Sequence, residues 1–367
     1  MPPPERRVLV TGAAGFIGST LSEALVAEGW RVTGLDGFAG GYPRADKEAN
    51  LARLAGEPRF DLVEANLAEA DLAAALAGRP RVAHLAGRPG VRTSFGDGLG
   101  PCLRDNVDAT HRLLGAALEA GVPRMVWASS SSVYGDAGGQ AAREDRTPTR
   151  PISPYAVVKR ACEDLAAMAR TRGLSCVGLR FFTVYGPRQR PDMAARRMCE
   201  ALAGGRPFTV YGDGSAARDL THVDDAVDAA LRALAAPTAA AIYNVGGGRP
   251  VSLRAIAAAL GDIAGRPVPW RAGPAAQGDV RRTSADTSFA RRDLGWRPRV
   301  GLRDGLASQL SWVLERHALS LDRRVRSGGL QLDPGLVDRA DAAADDADHA
   351  GRPGAHEEAG AEAAPLA

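Results

Sequence analysis

The 367-residue chain is almost without lysine: among its 46 lysine and arginine side chains, only Lys47 and Lys159 are lysines. Arginine stands nearly everywhere a cation is wanted, so Lys159 reads as an exception that chemistry required, a compact ammonium where a planar guanidinium would not serve. Cysteine is scarce too. Cys102, Cys162, Cys176 and Cys199 are widely spaced with no C-x-x-C pair, which argues against a zinc site or a disulfide framework and for reduced core thiols. No metal is implied. No apolar run approaches the roughly 20 residues needed to cross a bilayer, and Met1-Pro2-Pro3-Pro4-Glu5 has no apolar signal core. We therefore expect a cytoplasmic protein with no membrane partner. Internal repeats are not evident.

The net charge of +3 conceals an asymmetry. Residues 333–367 carry nine acidic and two basic side chains, a charge of −7, which leaves +10 on residues 1–332. The arginines of that basic body are dispersed, without the motif spacing or aromatic interleaving of a nucleic-acid surface, so a small anionic substrate is the expected partner and nucleic acid is not. Residues 333–367 are mostly Ala, Asp, Glu and Gly, too poor in apolar bulk to offset their ordering entropy, and are expected to be a disordered acidic tail.

The ordered part begins with a short apolar run, Arg6-Arg7-Val8-Leu9-Val10, then Thr11-Gly12-Ala13-Ala14-Gly15-Phe16-Ile17-Gly18, then a helical apolar period through Leu21, Leu25 and Val26. This is strand, glycine turn, helix. Glycines at Gly12, Gly15 and Gly18 permit a tight turn and close approach of the backbone to a pyrophosphate, which the N–H groups and dipole of the helix start attract. Arg31–Leu35 reads as a second strand ending on Asp36, where a carboxylate meets the adenosine ribose hydroxyls. Gly37 follows, with no arginine to hold a 2′-phosphate, so NAD is favoured over NADP.

Further strands at Phe60–Glu64, Arg81–Ala86, Arg124–Ser129 and Cys176–Phe181 alternate with helices at Ala68–Ala77, Leu103–Ala120 and Pro154–Arg172. That alternation predicts an α/β fold, a doubly wound parallel sheet of the Rossmann type over residues 1–182, with later segments returning to it. Residues 183–320 break into shorter elements (Ala194–Gly204, Phe208–Tyr211, Val223–Leu234, Ile242–Val245, Leu253–Ala264) and are expected to form a smaller C-terminal α/β substrate-binding part. Ligands of such sheets sit at the carboxyl ends of the strands. Three stretches fall there: Ala86–Arg92, Ser129–Gly135 and Thr183–Pro187. His84, within a strand, reads as a satisfied core imidazole. Ser153-Pro154-Tyr155-Ala156-Val157-Val158-Lys159 opens a helix and puts a phenol and an ammonium at i and i+4, on one face.

These residues together resemble the extended short-chain dehydrogenase/reductase family, and within it the nucleotide-sugar epimerases, over about residues 6–316. The carriers are Thr11 to Gly18, Ser129 to Gly135, Tyr155 with Lys159, Arg180 to Met193, and Tyr211-Gly212-Asp213-Gly214 with Arg218-Asp219. The sugar-facing segments look most like UDP-glucuronate 4-epimerases. The resemblance implies that Tyr155 is the acid/base, that Lys159 holds the nicotinamide ribose and favours the phenolate, and that Ser130 bonds the sugar hydroxyl. It implies a cofactor site that includes Gly12, Gly15, Phe16, Ile17, Gly18, Asp36, Asn66, Leu67, Leu85 and Ala86. Arg190, Arg218 and Asp279 would hold the nucleotide diphosphate, Ser131, Ser132 and Thr183 would line the sugar, and Arg92 would also bind the substrate. A homodimer packing helices Leu103–Ala120 and Pro154–Arg172 of each subunit is also implied.

The chain departs from the family at Asn66, usually Asp near the adenine, and at Ala156, commonly Gly. Rival chemistries are sugar-nucleotide 4,6-dehydration, for which the family carries Asp-Glu at the positions of Ser131-Ser132, and UDP-glucuronate decarboxylation, with Glu at Ser132. Hydroxyls cannot replace those carboxylates as proton carriers near neutral pH. UDP-glucose or its N-acetylamino analogue is the alternative substrate, and an NAD-sensing scaffold the non-enzymatic alternative.

Overall fold

The computed structural model describes residues 6–40, 43–235, 239–274 and 280–326. One compact unit spans Met1–Glu315, and a second begins at Arg316. The elements run β1 (Arg7–Thr11), α1 (Phe16–Ala27), β2 (Arg31–Asp36), α2 (Arg44–Asn50), β3 (Phe60–Glu64), α3 (Leu72–Ala75) and β4 (Arg81–His84). They continue with α4 (Leu99–Leu103), α5 (Ala109–Ala120), β5 (Met125–Ser130), α6 (Pro154–Thr171), β6 (Cys176–Phe181), β7 (Thr183–Tyr185) and α7 (Ala194–Gly204). Last come β8 (Phe208–Tyr211), β9 (Ala217–His222), α8 (Val223–Ala235), β10 (Ile242–Val245), β11 (Pro250–Ser252), α9 (Leu253–Ala264), β12 (Trp270–Gly273), α10 (Ser288–Leu294) and α11 (Leu302–Arg326).

Seven strands form one parallel sheet in the order β10-β6-β5-β4-β1-β2-β3. The expected doubly wound sheet is therefore present, and its strand order reverses between β1 and β4, where Thr11 and His84 end side by side. The central strands read as nearly continuous apolar runs because both faces are covered. On one face Val8, Val10, Val126 and Val177 pack with α1, α8 and α10 side chains such as Leu21, Ala230 and Leu294. On the other, Leu9, Val82, Met125 and Trp127 meet α5 and α6 through Leu113, Ala117, Cys162 and Ala166. Two small sheets, β11-β9-β7 and β12-β8, make the C-terminal part around a separate core of Met198, Leu202, Leu260 and Leu306.

Three expectations need correction. The helix over Ala68–Ala77 shrinks to Leu72–Ala75, because Asn66 Oδ1 claims the Ala68 N–H at 3.0 Å and Asp71 caps Ala74 at 3.0 Å, each competing with helical bonds. The strand from Arg81 ends at His84, not Ala86, where the chain leaves the sheet for the cavity described below. The helix expected from Leu103 starts at Leu99 and passes through a π-helical turn at Arg104–Asp108 before α5. Such turns insert one residue into the helical ladder and often mark functional sites.

One buried ion pair ties α6 to the sheet. Arg180 on β6 donates through Nε and Nη2 to Glu163 at 2.8 and 2.7 Å, with both side chains 6% exposed. Ser129 Oγ donates to the same carboxylate at 2.6 Å. Arg180 Nη1 donates to Tyr134 Oη at 2.7 Å, and Tyr134 donates to Asn244 Oδ1 at 2.8 Å. Glu163→Ala would leave the Arg180 charge buried and unmatched, so urea unfolding should register a loss of about 3–5 kcal/mol; a loss under about 1 kcal/mol, the scale of an exposed pair, would show that water reaches it.

Candidate functional site

Above the carboxyl ends of β1, β2, β4, β5 and β6 lies a cavity of about 830 Å³. It runs from Asp36 past the glycine turn to Tyr155 and Lys159, then on to β7, β8 and β9. Gly12, Gly15, Phe16, Ile17, Gly18, Asp36, Asn66, Leu67, Leu85 and Ala86 all line it. So do Arg92, Ser130, Ser131, Ser132, Tyr155, Lys159, Thr183, Arg190 and Arg218. Of the residues singled out from sequence only Asp279 is missing, and it lies outside the described residues, as does the 333–367 tail.

The turn after β1 needs its glycines for space. A Cβ on Gly12, whose φ is +73°, would stand 2.7 Å from Ala86 N, and one on Gly18 would stand 2.0 Å from Gly12 O. Gly15 caps α1 without any side chain over the helix start, and no acidic residue occupies the first turn. The helix end is thus open to an anion. At the end of β2 the buried Asp36 accepts from Ala14 N at 3.0 Å and Phe38 N at 2.8 Å. At the far end Asn106, in the π turn, donates to Arg88 O at 3.1 Å and Cys102 O at 2.9 Å, while its Oδ1 has no protein partner. A dinucleotide fits this wall: the helix start would hold its phosphates, Asp36 its ribose hydroxyls, and Asn106 Oδ1 would accept from an amide donor.

The placement of Tyr155 and Lys159 is set by capping. Ser153 Oγ accepts from Ala156 N at 3.2 Å, Pro154 occupies the first helical turn, and Tyr155 N donates to Ser94 Oγ at 3.0 Å. Lys159 Nζ donates to Ala128 O at 3.0 Å and lies 6.0 Å from the Tyr155 ring centre. Ser130 ends β5, and its Oγ accepts from Ser132 N and Ser132 Oγ at 3.2 and 2.9 Å. Thr183 begins β7 beside Leu220 of β9. Arg190 binds Asp192 through two nitrogens at 3.0 and 2.8 Å, and the Arg92 guanidinium lies 4.1 Å over the Tyr211 ring. Asn66, the departure from the family, spends its Oδ1 on the Ala68 turn and still lines the cavity.

His84 lies beneath the site as a bridged core imidazole, with Nδ1 2.7 Å from Thr11 Oγ1 and Nε2 3.0 Å from Thr110 Oγ1. Burial, helped by the Lys159 charge, pushes its pKa down to about 3. Sequence reasoning passed over Lys47 and Asn106 as site residues and took in Arg88 only as part of the Ala86–Arg92 stretch. Lys47 carried a signal in its rarity, whereas Asn106 depends on a π turn that apolar periodicity does not reveal.

A parallel sheet that brings a glycine turn, a buried carboxylate, a phenol and an ammonium to one cavity defines a dinucleotide-dependent enzyme. The profile of the NAD dependent epimerase/dehydratase family matches residues 8–246. A UDP-glucose 4-epimerase of Mycolicibacterium smegmatis is 40% identical over 313 residues, 83% of this chain and 98% of its own length. UDP-glucuronic acid 4-epimerase from Bacillus cereus, in complex with UDP-glucuronic acid and NAD, is 36% identical with a TM-score of 0.81, over 84% of this chain and 99% of that one. MoeE5, in complex with UDP-glucuronic acid and NAD, is 42% identical with a TM-score of 0.76 over 84% and 99%. MoeE5 is also known with UDP-glucose and NAD. The chain belongs to the NAD dependent epimerase/dehydratase family, and its cofactor is NAD.

The unfolded chain takes up a proton on His84 near the ordinary value of about 6.5, and the folded chain resists it down to about 3. The stability that neutral His84 contributes is therefore complete above the unfolded value and is lost as pH falls from there. Thermal unfolding of wild type and His84→Gln from pH 7 to 4 should give a shallower decline for the variant; equal slopes would remove His84 as the titrating group.

Proposed function

We propose that this chain is a UDP-sugar 4-epimerase that interconverts UDP-glucuronate and UDP-galacturonate. Bound NAD supplies a reversible acceptor for hydride. Tyr155 takes the proton from the sugar 4-hydroxyl and returns it after the 4-keto sugar has turned its other face. Lys159, fixed to the Ala128 carbonyl at 3.0 Å, keeps a cation beside the phenol and the nicotinamide ribose. Ser130 accepts a hydrogen bond in place and orients the 4-hydroxyl. Residues 1–182 hold the cofactor and residues 183–320 mainly the sugar nucleotide, with Arg190 and Arg218 on its diphosphate. Gly12, Gly15, Phe16, Ile17 and Gly18 cradle the cofactor pyrophosphate, and Asp36 takes the adenosine ribose.

The observation that carries this reading is the hydroxyl set at the sugar end. Ser131, Ser132 and Thr183 line the same cavity as Tyr155, with no carboxylate at those positions to move a proton at C5 or C6. Hydroxyls and backbone N–H groups can bind a uronate carboxylate, each charge-assisted bond contributing about 1.5–3 kcal/mol. Oxidation at C4 makes a β-keto acid, which loses CO₂ when its carboxylate stands perpendicular to the carbonyl plane. Holding that carboxylate through Ser131, Ser132 and Thr183 keeps it from that geometry. UDP-glucose, whose hexose carries no carboxylate, is the second reading, favoured by the 40% identity with a UDP-glucose 4-epimerase.

Exposed apolar side chains support a dimer. Leu99 and Leu103 of α4 and Val157 and Met168 of α6 are each more than 40% exposed, and α5 and α6 pack side by side. A second copy applying the same face would bury them in a four-helix bundle. No helix among the described residues is long and apolar enough to cross a membrane, and a cytoplasmic homodimer is the form we propose.

Tyr155→Phe removes only the proton carrier, so turnover should fall by at least about 10³-fold, within the range of lost acid–base catalysis, while calorimetric binding of UDP-glucuronate persists. Wild-type rates in that variant would take Tyr155 out of the chemistry. Thr183→Val and Ser131→Ala should release CO₂ and a 4-keto pentose from UDP-glucuronate; clean epimerisation by both would mean that the carboxylate is held elsewhere. Sedimentation should give a dimer that Val157→Asp with Met168→Asp splits, and a wild-type monomer at micromolar concentration would contradict the assembly.

A further inference from the structure

Both lysines of the chain line the cofactor cavity, and both are buried. The epimerase chemistry accounts for Lys159 and leaves Lys47 without a task. Lys47 comes from α2, and its Nζ donates to Asp36 Oδ1 at 3.0 Å and to Ala39 O at 3.3 Å. The two side chains are 9% and 4% exposed. A sequence that uses arginine almost everywhere has kept a compact ammonium at this contact.

The loop between β2 and α2 is shaped around the pair. Phe38 has a φ of +50°, a conformation that costs a non-glycine residue about 1–3 kcal/mol and persists where surroundings enforce it. Its N–H donates to Asp36 Oδ1 at 2.8 Å, and the Arg44 guanidinium lies 4.5 Å from its ring centre. Asp36 thus accepts from Ala14 N, Phe38 N and Lys47 Nζ. An ionised carboxylate offers about four acceptor positions, which leaves about one for a ribose hydroxyl.

Charge decides what that position admits. A carboxylate accepts from the ribose diol and repels a 2′-phosphate. Here the carboxylate is half of an ion pair, and its ammonium lines the same cavity. Removing the Asp36 charge would strand the ammonium in a buried place, where an anion is the natural replacement. The neighbouring cation Arg88 is committed to Asp105 at 2.7 Å.

We infer that Lys47 determines cofactor specificity together with Asp36: Asp36 selects the unphosphorylated ribose and, by holding Lys47, keeps a latent 2′-phosphate site closed. The inference rests on the NAD assignment, and NAD binding by the wild type is its control, since failure there would sink that assignment instead. NAD and NADP affinities should be measured by calorimetry on the full chain as wild type, Asp36→Asn, Lys47→Met and the double variant, each first shown to melt cooperatively. Asp36→Asn should raise the ratio of NADP to NAD affinity at least tenfold, the added Lys47→Met should abolish that gain, and Lys47→Met alone should lower the ratio. Asp36→Ser replaces Asp36→Asn in the series if the latter does not fold. No gain on removing Asp36, or a gain that survives Lys47→Met and so belongs to Arg88, would overturn the inference. An unchanged ratio in the single Lys47 variant would also overturn it.

Discussion

Helix α6, which carries Tyr155 and Lys159, is pinned to the sheet by a buried charge pair, and the geometry of the candidate site depends on it. Glu163 stands one turn beyond Lys159 on α6, Arg180 reaches it from β6, and Ser129, which shares its carboxylate, precedes Ser130 in the chain. A shift of α6 would move the phenol, the ammonium and the serine strand end relative to one another. Desolvating such a pair costs several kcal/mol per ion, offset only when every lone pair and proton finds a partner. Here Ser129, Tyr134 and Asn244 complete the network. The Tyr134 hydroxyl, buried beside Arg180, has its pKa pushed up to about 12, with burial the main cause, so it remains a neutral donor to Asn244.

That anchoring explains how a shallow set of sequence signals becomes one ordered candidate site. Tyr155 and Lys159 share a face of α6 because they are four residues apart, but their aim comes from the Ser153 cap and the Ser94 contact at one end and the Glu163 pair at the other. The cofactor end is built differently. It depends on backbone proximity, glycine against strand at Gly12 and Gly18, and on a carboxylate with most of its acceptor positions filled by the protein.

Much of this was legible in the residues because local order carries it. The β1 run, glycine turn, α1 period and Asp36 follow one another within 30 residues, and each step has its own pattern. The four short strands β7, β9, β11 and β12 left no such trace. Thr183–Tyr185 pairs with Leu220–His222, far along the chain, and strands of three to six residues show too few alternations to define a period. Ala68–Ala77 misled in the opposite sense, an alanine-rich stretch whose Asn66 and Asp71 turn it aside. Lys47 was visible as a rarity, but the carboxylate it meets comes from the end of β2 and was disclosed only by the fold.

The central claim is that this arrangement epimerises a UDP-uronate at C4, and proton NMR of the sugar-nucleotide pool tests it most directly. The full-length protein is incubated separately with UDP-glucuronate, UDP-glucose and UDP-N-acetylglucosamine, and the configuration at C4 is followed to equilibrium. The account predicts conversion of UDP-glucuronate to UDP-galacturonate without net consumption of NAD and with little 4-keto pentose. Epimerisation of UDP-glucose with none of UDP-glucuronate would contradict it.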